Sequence, residues 1–350
     1  MIVGAAGVLP FMLTSSANSP NPGKSAGPPS SPHASGLPRP ASAPSFSRVA
    51  IDLPAVYSGG AGLISSLAFS PAGGTLAIAD TGGICVWDIA ARNCAASFAS
   101  AWSVAFSPDA TVLAAGNVNG PGASDKTIDL WNPATTSQPA PLVNPDSQGA
   151  YSIVFSRDGK TLAAGDANGS VYVWNVPART RTGALADPHS KGVNSVAISR
   201  DGKTLAAGDA NGSVYLWNLV SHKLIAPLTP PRGQGVSSVV FSPDGKTVAA
   251  GDASGGVFLW NVATKSPVTP LADTRTQGAY SVVFSPDGKT LAAGAVNGDT
   301  YVWDLTTGKR IATLPDPRSG GINSVVFSPD GKTIATGGEH GGVSLWRASA

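Results

Sequence analysis

Tryptophan recurs with a fixed period through most of the chain. Trp87, Trp131, Trp174, Trp217, Trp260, Trp303 and Trp346 are separated by 44 residues once and by 43 thereafter, and only Trp102 falls outside the series. The stretch DGKTLAAGDANGSVY stands letter for letter at 158–172 and again at 201–215. Such identity marks duplication of one structural unit. Seven copies of a unit this long restrict the chain to a repeat architecture.

The unit itself reads as strands. In INSVVFSPDGKTIATGGEHGGVSLW, residues 322–346, the run before Phe327 is β-branched and apolar on both faces, as suits a strand covered on both sides. SPDGK is a turn in which Pro presets φ and Gly accepts a positive φ. TIAT is the next strand, and a Gly-rich turn leads into VSLW. In two copies that turn contains Asn168-Gly169 and Asn211-Gly212, a strong hairpin signal. A fourth strand is expected after each Trp, such as 309–314 after Trp303. Four antiparallel strands per repeat form one propeller blade. The prediction is an all-β, seven-bladed β-propeller of four-stranded antiparallel blades. The last blade has no room for a fourth strand after Trp346. Residues 48–53, RVAIDL, are expected to supply it and close the ring, leaving only short edges.

Composition agrees. Gly (42) and Pro (29) exceed a fifth of the 350 residues, and Glu occurs once, at Glu339, against 20 Asp. Asp favours turns and Glu favours helix interiors, so the imbalance argues against a helical protein. A net charge of +2 gives no general attraction to nucleic acid. Residues 1–13, MIVGAAGVLPFML, form an apolar run without a basic start, open to reading as a signal, an anchor remnant or a tail. Residues 14–46, rich in Pro, Ser and Gly, are expected to be a disordered linker before a propeller over 47–350. Together these favour an extracytoplasmic or membrane-tethered location over a cytoplasmic one, with any membrane contact made through the N-terminal segment. Cys85 and Cys94 flank the turn after Trp87. A local disulfide is conceivable, but with the strand register unknown the expectation is two free, partly buried thiols.

The motif FSPDGK at 241–246, 284–289 and 327–332, with Trp87-Asp88 and Trp303-Asp304, resembles the WD-repeat family over residues 47–350. The resemblance implies a hydrogen-bonded set in each blade: a histidine, a strand Ser or Thr, a turn Asp and the Trp. This chain departs from that pattern. The histidine position holds His189, Arg232, Arg275 and Arg318 in blades four to seven. The turn position matches only at Asp125, and is otherwise Thr81, Asn168, Asn211, Ser254, Asn297 or His340. Among the hydroxyl sites Thr336 remains, whereas Ala164, Ala207, Ala250 and Ala293 do not carry one. Apolar packing is therefore expected to carry more of the stability.

Chemistry motifs are sparse. Five Gly-Lys-Thr triplets, starting at Gly159, Gly202, Gly245, Gly288 and Gly331, lack the upstream Gly of a phosphate loop and read as turns. Asp166-Ala-Asn168-Gly lacks the later acidic ligands of a calcium loop. His33, His189, His222 and His340 are scattered, and no catalytic motif is present. No cofactor or metal is expected.

Comparison between repeats is more informative. Three residues before each Phe position stands a Ser: Ser66, Ser103, Ser152, Ser195, Ser238, Ser281 and Ser324. One position earlier the residue varies: Ser65, Trp102, Tyr151, Asn194, Ser237, Tyr280 and Asn323. The resemblance puts these positions and the adjoining loops around the channel entrance. A uniform scaffold varying aromatic and basic groups at one rim suggests a binding surface. The expected set is Trp102, Tyr151, His189, Lys191, Arg232, Arg275, Tyr280 and Arg318. The reading is a monomeric, noncatalytic scaffold for a protein partner. The alternatives are a propeller enzyme or small-molecule sensor using the channel, and the sensor domain of a larger membrane-anchored protein such as a receptor kinase.

Overall fold

The computed structural model describes residues 46–51, 62–99, 101–116, 126–135, 137, 141–186, 189–230, 234–268, 271 and 278–348. The chain divides into two units, Met1–Ser42 and Ala43–Ala350, and every described residue belongs to the second. The apolar segment 1–13 and all but Phe46 of the expected linker lie outside the described residues.

The repeats fold into seven antiparallel sheets. Blade one runs Ile64–Phe69, Thr75–Asp80, Ile84–Asp88 and Asn93–Phe98, strands a to d from the centre outward. The later a strands are Ser103–Phe106, Ala150–Phe155, Val193–Ile198, Val236–Phe241, Ala279–Phe284 and Ile322–Phe327. Each packs against the next, and the seventh packs against the first, so the blades form a ring. The periodic tryptophans fill the junctions between blades. Trp303 of blade six lies among Ala249, Val257 and Leu259 of blade five, and Trp87 lies among Ala335, Val343 and Leu345 of blade seven.

The ring closes as expected. Phe46–Ile51 pairs antiparallel with Val343–Ala348, with Arg48 opposite Trp346, and becomes strand d of blade seven. Arg48 Nη2 lies 2.5 Å from Asp316 Oδ1 and its Nε donates to Ser344 Oγ at 3.0 Å. Ser344 Oγ in turn donates to Asp316 Oδ2 at 2.6 Å. Burial pushes the Asp316 carboxyl up, but hydrogen bonds led by Ser344, together with the Arg48 charge, outweigh it and hold the pKa below the ordinary value.

Among the described residues six sheets have four strands; in blade five the described part of the outer segment meets Val257–Asn261 through the bridge between Trp260 and Pro267 and through Val268 N, which donates to Leu259 O at 2.8 Å. Pro267 has no N–H to give a ladder. Leu271 is nevertheless buried, 43 residues before its counterpart Leu314 in strand d of blade six.

The structure corrects the reading of the cysteines, which form a disulfide with Cα atoms 5.6 Å apart. A register shift between Val86 and Trp87 sets Cys94 opposite Trp87, diagonal to Cys85. That shift is what the sequence did not supply. The same two positions join strands c and d elsewhere by other means. Arg181 lies 5.4 Å from the Tyr172 ring and Arg310 lies 5.2 Å from the Tyr301 ring, while Arg48 bonds Ser344.

The Gly-Lys-Thr triplets are turns. Their glycines have φ between +70° and +73°. The Ser that opens each turn donates to the turn Asp, as Ser156 does to Asp158 and Ser242 to Asp244, both at 2.6 Å. These serine hydrogen bonds, followed by backbone N–H donors, hold the carboxyls of Asp109, Asp158, Asp201, Asp244, Asp287 and Asp330 below the ordinary value.

Candidate interaction face at the channel mouth

Hydrogen bonds between loops define the two faces of the ring. The b–c turns bond the segments leading into strand a: Ala167 N donates to Gly149 O and Ala210 N to Gly192 O, both at 2.9 Å. The a–b turns bond the c–d turns, as Val176 N does to Lys160 O and Leu305 N to Lys289 O, both at 2.8 Å. The first set forms the entrance face and the second the turn face.

Strand a is the inner edge of each sheet and would present unpaired backbone groups to the channel. The repeated serine serves that edge. Val104 N donates to Ser66 Oγ at 3.2 Å, Ile153 N to Ser103, Val196 N to Ser152, Val239 N to Ser195, Val282 N to Ser238 and Val325 N to Ser281. Leu67 N donates to Ser324 Oγ at 3.0 Å and completes the circle. The repetition of these serines was visible in the sequence, but their role was not, because it lies between blades.

The preceding, variable position does the same for carbonyls in three blades. Ser65 Oγ donates to Ala101 O, Asn194 Nδ2 to Val236 O and Asn323 Nδ2 to Ile64 O, in each case reaching the next blade. Part of the variation is therefore structural. Blades two, three and six place rings there instead. Trp102 is 41% exposed and meets Tyr151 edge-on, with centroids 6.4 Å apart. Tyr280 stands on a separate arc of the ring. Burial, and next the Asp166 charge, raise the pKa of Tyr151; burial, and next the Glu339 charge, raise that of Tyr280.

Of the remaining expected residues, His189, Lys191 and Arg318 are exposed on the entrance face. They do not converge with the aromatic pair: His189 and Lys191 precede strand a of blade four, and Arg318 precedes that of blade seven. Arg232 and Arg275 lie outside the described residues.

Buried aspartates on this face were missed. Asp166, Asp209 and Asp252 end strand b, are almost wholly buried, and bind the loops around them. Asp166 accepts from the Ser147 hydroxyl and from the N–H groups of Gln148 and Asn168; Asp209 accepts from the Ser190 hydroxyl and the N–H groups of Lys191 and Asn211. The recurring Gly-Asp at 165–166, 208–209 and 251–252 was the available signal. In blades three, four and five a carboxylate thus stands two residues before the turn position where one was sought. The hydroxyl position behaves as the resemblance implied. Trp346 Nε1 donates to Thr336 Oγ1 at 3.0 Å, whereas the buried Trp174 Nε1, in the blade with Ala164, has no hydrogen-bond partner among the described residues.

A profile described as the IFT122 first beta-propeller matches residues 149–350, and the WD domain, G-beta repeat profile matches 52–88 and 93–132. The chain belongs to the WD-repeat family. No curated protein matches it. WD-repeat propellers are in general protein-interaction scaffolds. In this WD-repeat propeller the entrance face is the chemically varied one, while the turn face repeats Asp and Lys from blade to blade.

Proposed function

We propose that this WD-repeat protein is a noncatalytic, monomeric scaffold whose entrance face docks a protein partner. The observation that carries the reading is the exposed Trp102 in contact with Tyr151 at a position where other blades spend a polar side chain on the next blade. Large aromatics and cations are the usual anchors of protein interfaces. Lys191 and Arg318 would meet acidic groups on the partner, with Trp102, Tyr151 and Tyr280 supplying apolar contact. The histidines favour a noncatalytic role. His222 packs on Gly183 at the ring's outer strand, His340 packs on Gly320, and neither has a hydrogen-bonded carboxylate among the described residues.

The test compares proteins captured by the parent, by a Trp102→Ala/Arg318→Glu variant, and by a Lys246→Glu/Lys289→Glu/Lys332→Glu control on the turn face. The entrance variant is expected to lose a defined set of proteins that the control keeps, at unchanged melting temperature. Retention of that set by the entrance variant would place the interface elsewhere.

A further inference from the structure

Exposed apolar side chains are unevenly placed on the ring. Of the eight large hydrophobics exposed among the described residues, three fall within six residues of blade four: Val220, Leu224 and Ile225, at 81%, 44% and 42%. Val220 lies in the c–d turn, and Leu224 and Ile225 begin strand d, Leu224–Leu228. Leu219 N donates to Lys203 O at 2.9 Å, so these residues stand at the outer corner of the turn face. Apolar surface held in water is unfavourable, and a contiguous cluster of it marks a contact site.

The surrounding turns are cationic. Arg157 and Arg200 replace the proline that Pro71, Pro108, Pro243, Pro286 and Pro329 supply in the other blades. The c–d turns of blades three and four open on Asn175 and Asn218, where blades one and six place Asp88 and Asp304. Asn218 Oδ1 still accepts from Val220 N and Ser221 N at 2.9 and 2.8 Å, so the turn is kept while the negative charge is lost. Residues 156–161, 175–180, 199–204 and 218–225 thus hold six Lys and Arg against two Asp. Those two, Asp158 and Asp201, accept from Ser156 and Ser199 at 2.6 Å inside their own turns. The two blades form one surface here: the His222 ring of blade four packs on Gly183 in strand d of blade three, and Arg179 lies in the turn before that strand. Arg200 Nη1 reaches the other way and donates to Pro243 O at 3.0 Å.

We propose that this corner of the turn face, Val220, Leu224 and Ile225 within a rim of cations, docks on the surface of an anionic lipid bilayer. Aliphatic side chains enter the boundary between headgroups and acyl chains, while Lys and Arg meet lipid phosphates and carboxylates. The composition favours a bilayer over a protein: protein anchors are mostly Trp, Tyr and Arg, and residues 218–225 contain no Trp, Tyr or Phe. Pro227 in this edge strand also blunts it against addition of a partner's strand. The chain connectivity agrees. Phe46 pairs with Ala348, whose N–H donates to Lys332 O in an a–b turn, so the N-terminal segment with its apolar run joins the ring on the turn face. A propeller docked through this corner leaves the entrance face, with Trp102, open to the protein partner.

The test places a reporter at the corner itself. Cys85 and Cys94 are bonded to each other, so a thiol introduced by Ser221→Cys in the full-length protein takes a nitrobenzoxadiazole label alone. Thr306→Cys, in the c–d turn of blade six, is the matched control. Vesicles of equal parts phosphatidylcholine and phosphatidylserine are expected to blue-shift the label at 221 saturably and to leave the label at 306 unmoved. Pure phosphatidylcholine vesicles are expected to move neither. Each basic residue near an anionic surface is worth about fivefold in affinity, so Arg179→Glu/Lys223→Glu in the protein labelled at 221 should weaken binding about tenfold or more. Leu224→Thr/Ile225→Thr should weaken it severalfold, and both variants should keep the parent melting temperature. No shift at 221, equal shifts at 221 and 306, or a shift unchanged by both sets of substitutions would each overturn the proposal. A shift of the 221 label by poly-aspartate and not by vesicles would overturn it in favour of an acidic protein. None of these residues lies on the entrance face, so loss of vesicle binding and loss of protein capture are separate results.

Discussion

Ala110 occupies the turn position that glycine holds in the six other blades, and it keeps the glycine conformation with φ of +60°. A side chain there costs about 1–2 kcal/mol, because Cβ crowds the following carbonyl. Ala110→Gly should therefore stabilise the protein by about 1 kcal/mol in chemical denaturation, less than the full strain because glycine also loosens the unfolded chain. The tryptophan hydroxyl position gives a paired prediction. Thr336→Ala leaves the buried Trp346 Nε1 without its acceptor and should cost about 1–3 kcal/mol. Ala164→Ser places a hydroxyl beside the unpaired Trp174 Nε1 and should recover about 1 kcal/mol. Equal effects of opposite sign are not expected, since an orphaned buried donor costs more than a new bond returns. These residues also show what could be read in advance. The turn glycines and Thr336 follow from local rules, so sequence located them. The roles of Ser66 and Asp166 depend on which blade or loop stands alongside, and strand order alone does not supply that.

At the level of elements, the a–b turns and the c–d pairs behave differently. Six turn aspartates have pKa values lowered first by a serine hydroxyl. A carboxyl with a lower pKa folded than unfolded stabilises the fold fully above its unfolded value and loses that contribution as pH falls through the folded one. Melting temperature should therefore be insensitive to these groups between pH 5 and 7, by the ordinary carboxylate range, and drop below about pH 4. A variant with Asn at 158, 201, 244 and 287 should melt lower at neutral pH and show a shallower acid limb. Cys85–Cys94 closes a loop of about ten residues, for which chain entropy gives about 3 kcal/mol. Cys85→Ser/Cys94→Ser should lose up to that amount in denaturant titrations, and hydrogen exchange should rise mainly in Asn93–Phe98. The strand succession was legible because its signals are periodic. The disulfide hinges on a single register shift, which periodicity averages away.

For the whole molecule, stability depends on joining its two ends. Removing residues 1–51 takes away the outer strand of blade seven and the Arg48 partner of Asp316, whereas removing 1–45 keeps both. The longer deletion should melt far lower, and similar melting of the two would show that Phe46–Ile51 does not hold the ring. The serine bonds between blades carry a further consequence. Every blade offers a hydroxyl acceptor on one flank and an amide donor on the other, so the contact is head-to-tail and has a direction. Such contacts end either in a closed circle or in an open filament, according to whether the rotation per unit completes a turn. Seven units complete it here. A chain with one repeat excised, at an unchanged rotation per blade, would carry a spare donor flank and a spare acceptor flank complementary to those of its neighbours. Species larger than the monomer are then the expected outcome by native mass spectrometry, whereas a monomer would mean that six blades close the ring by a wider rotation.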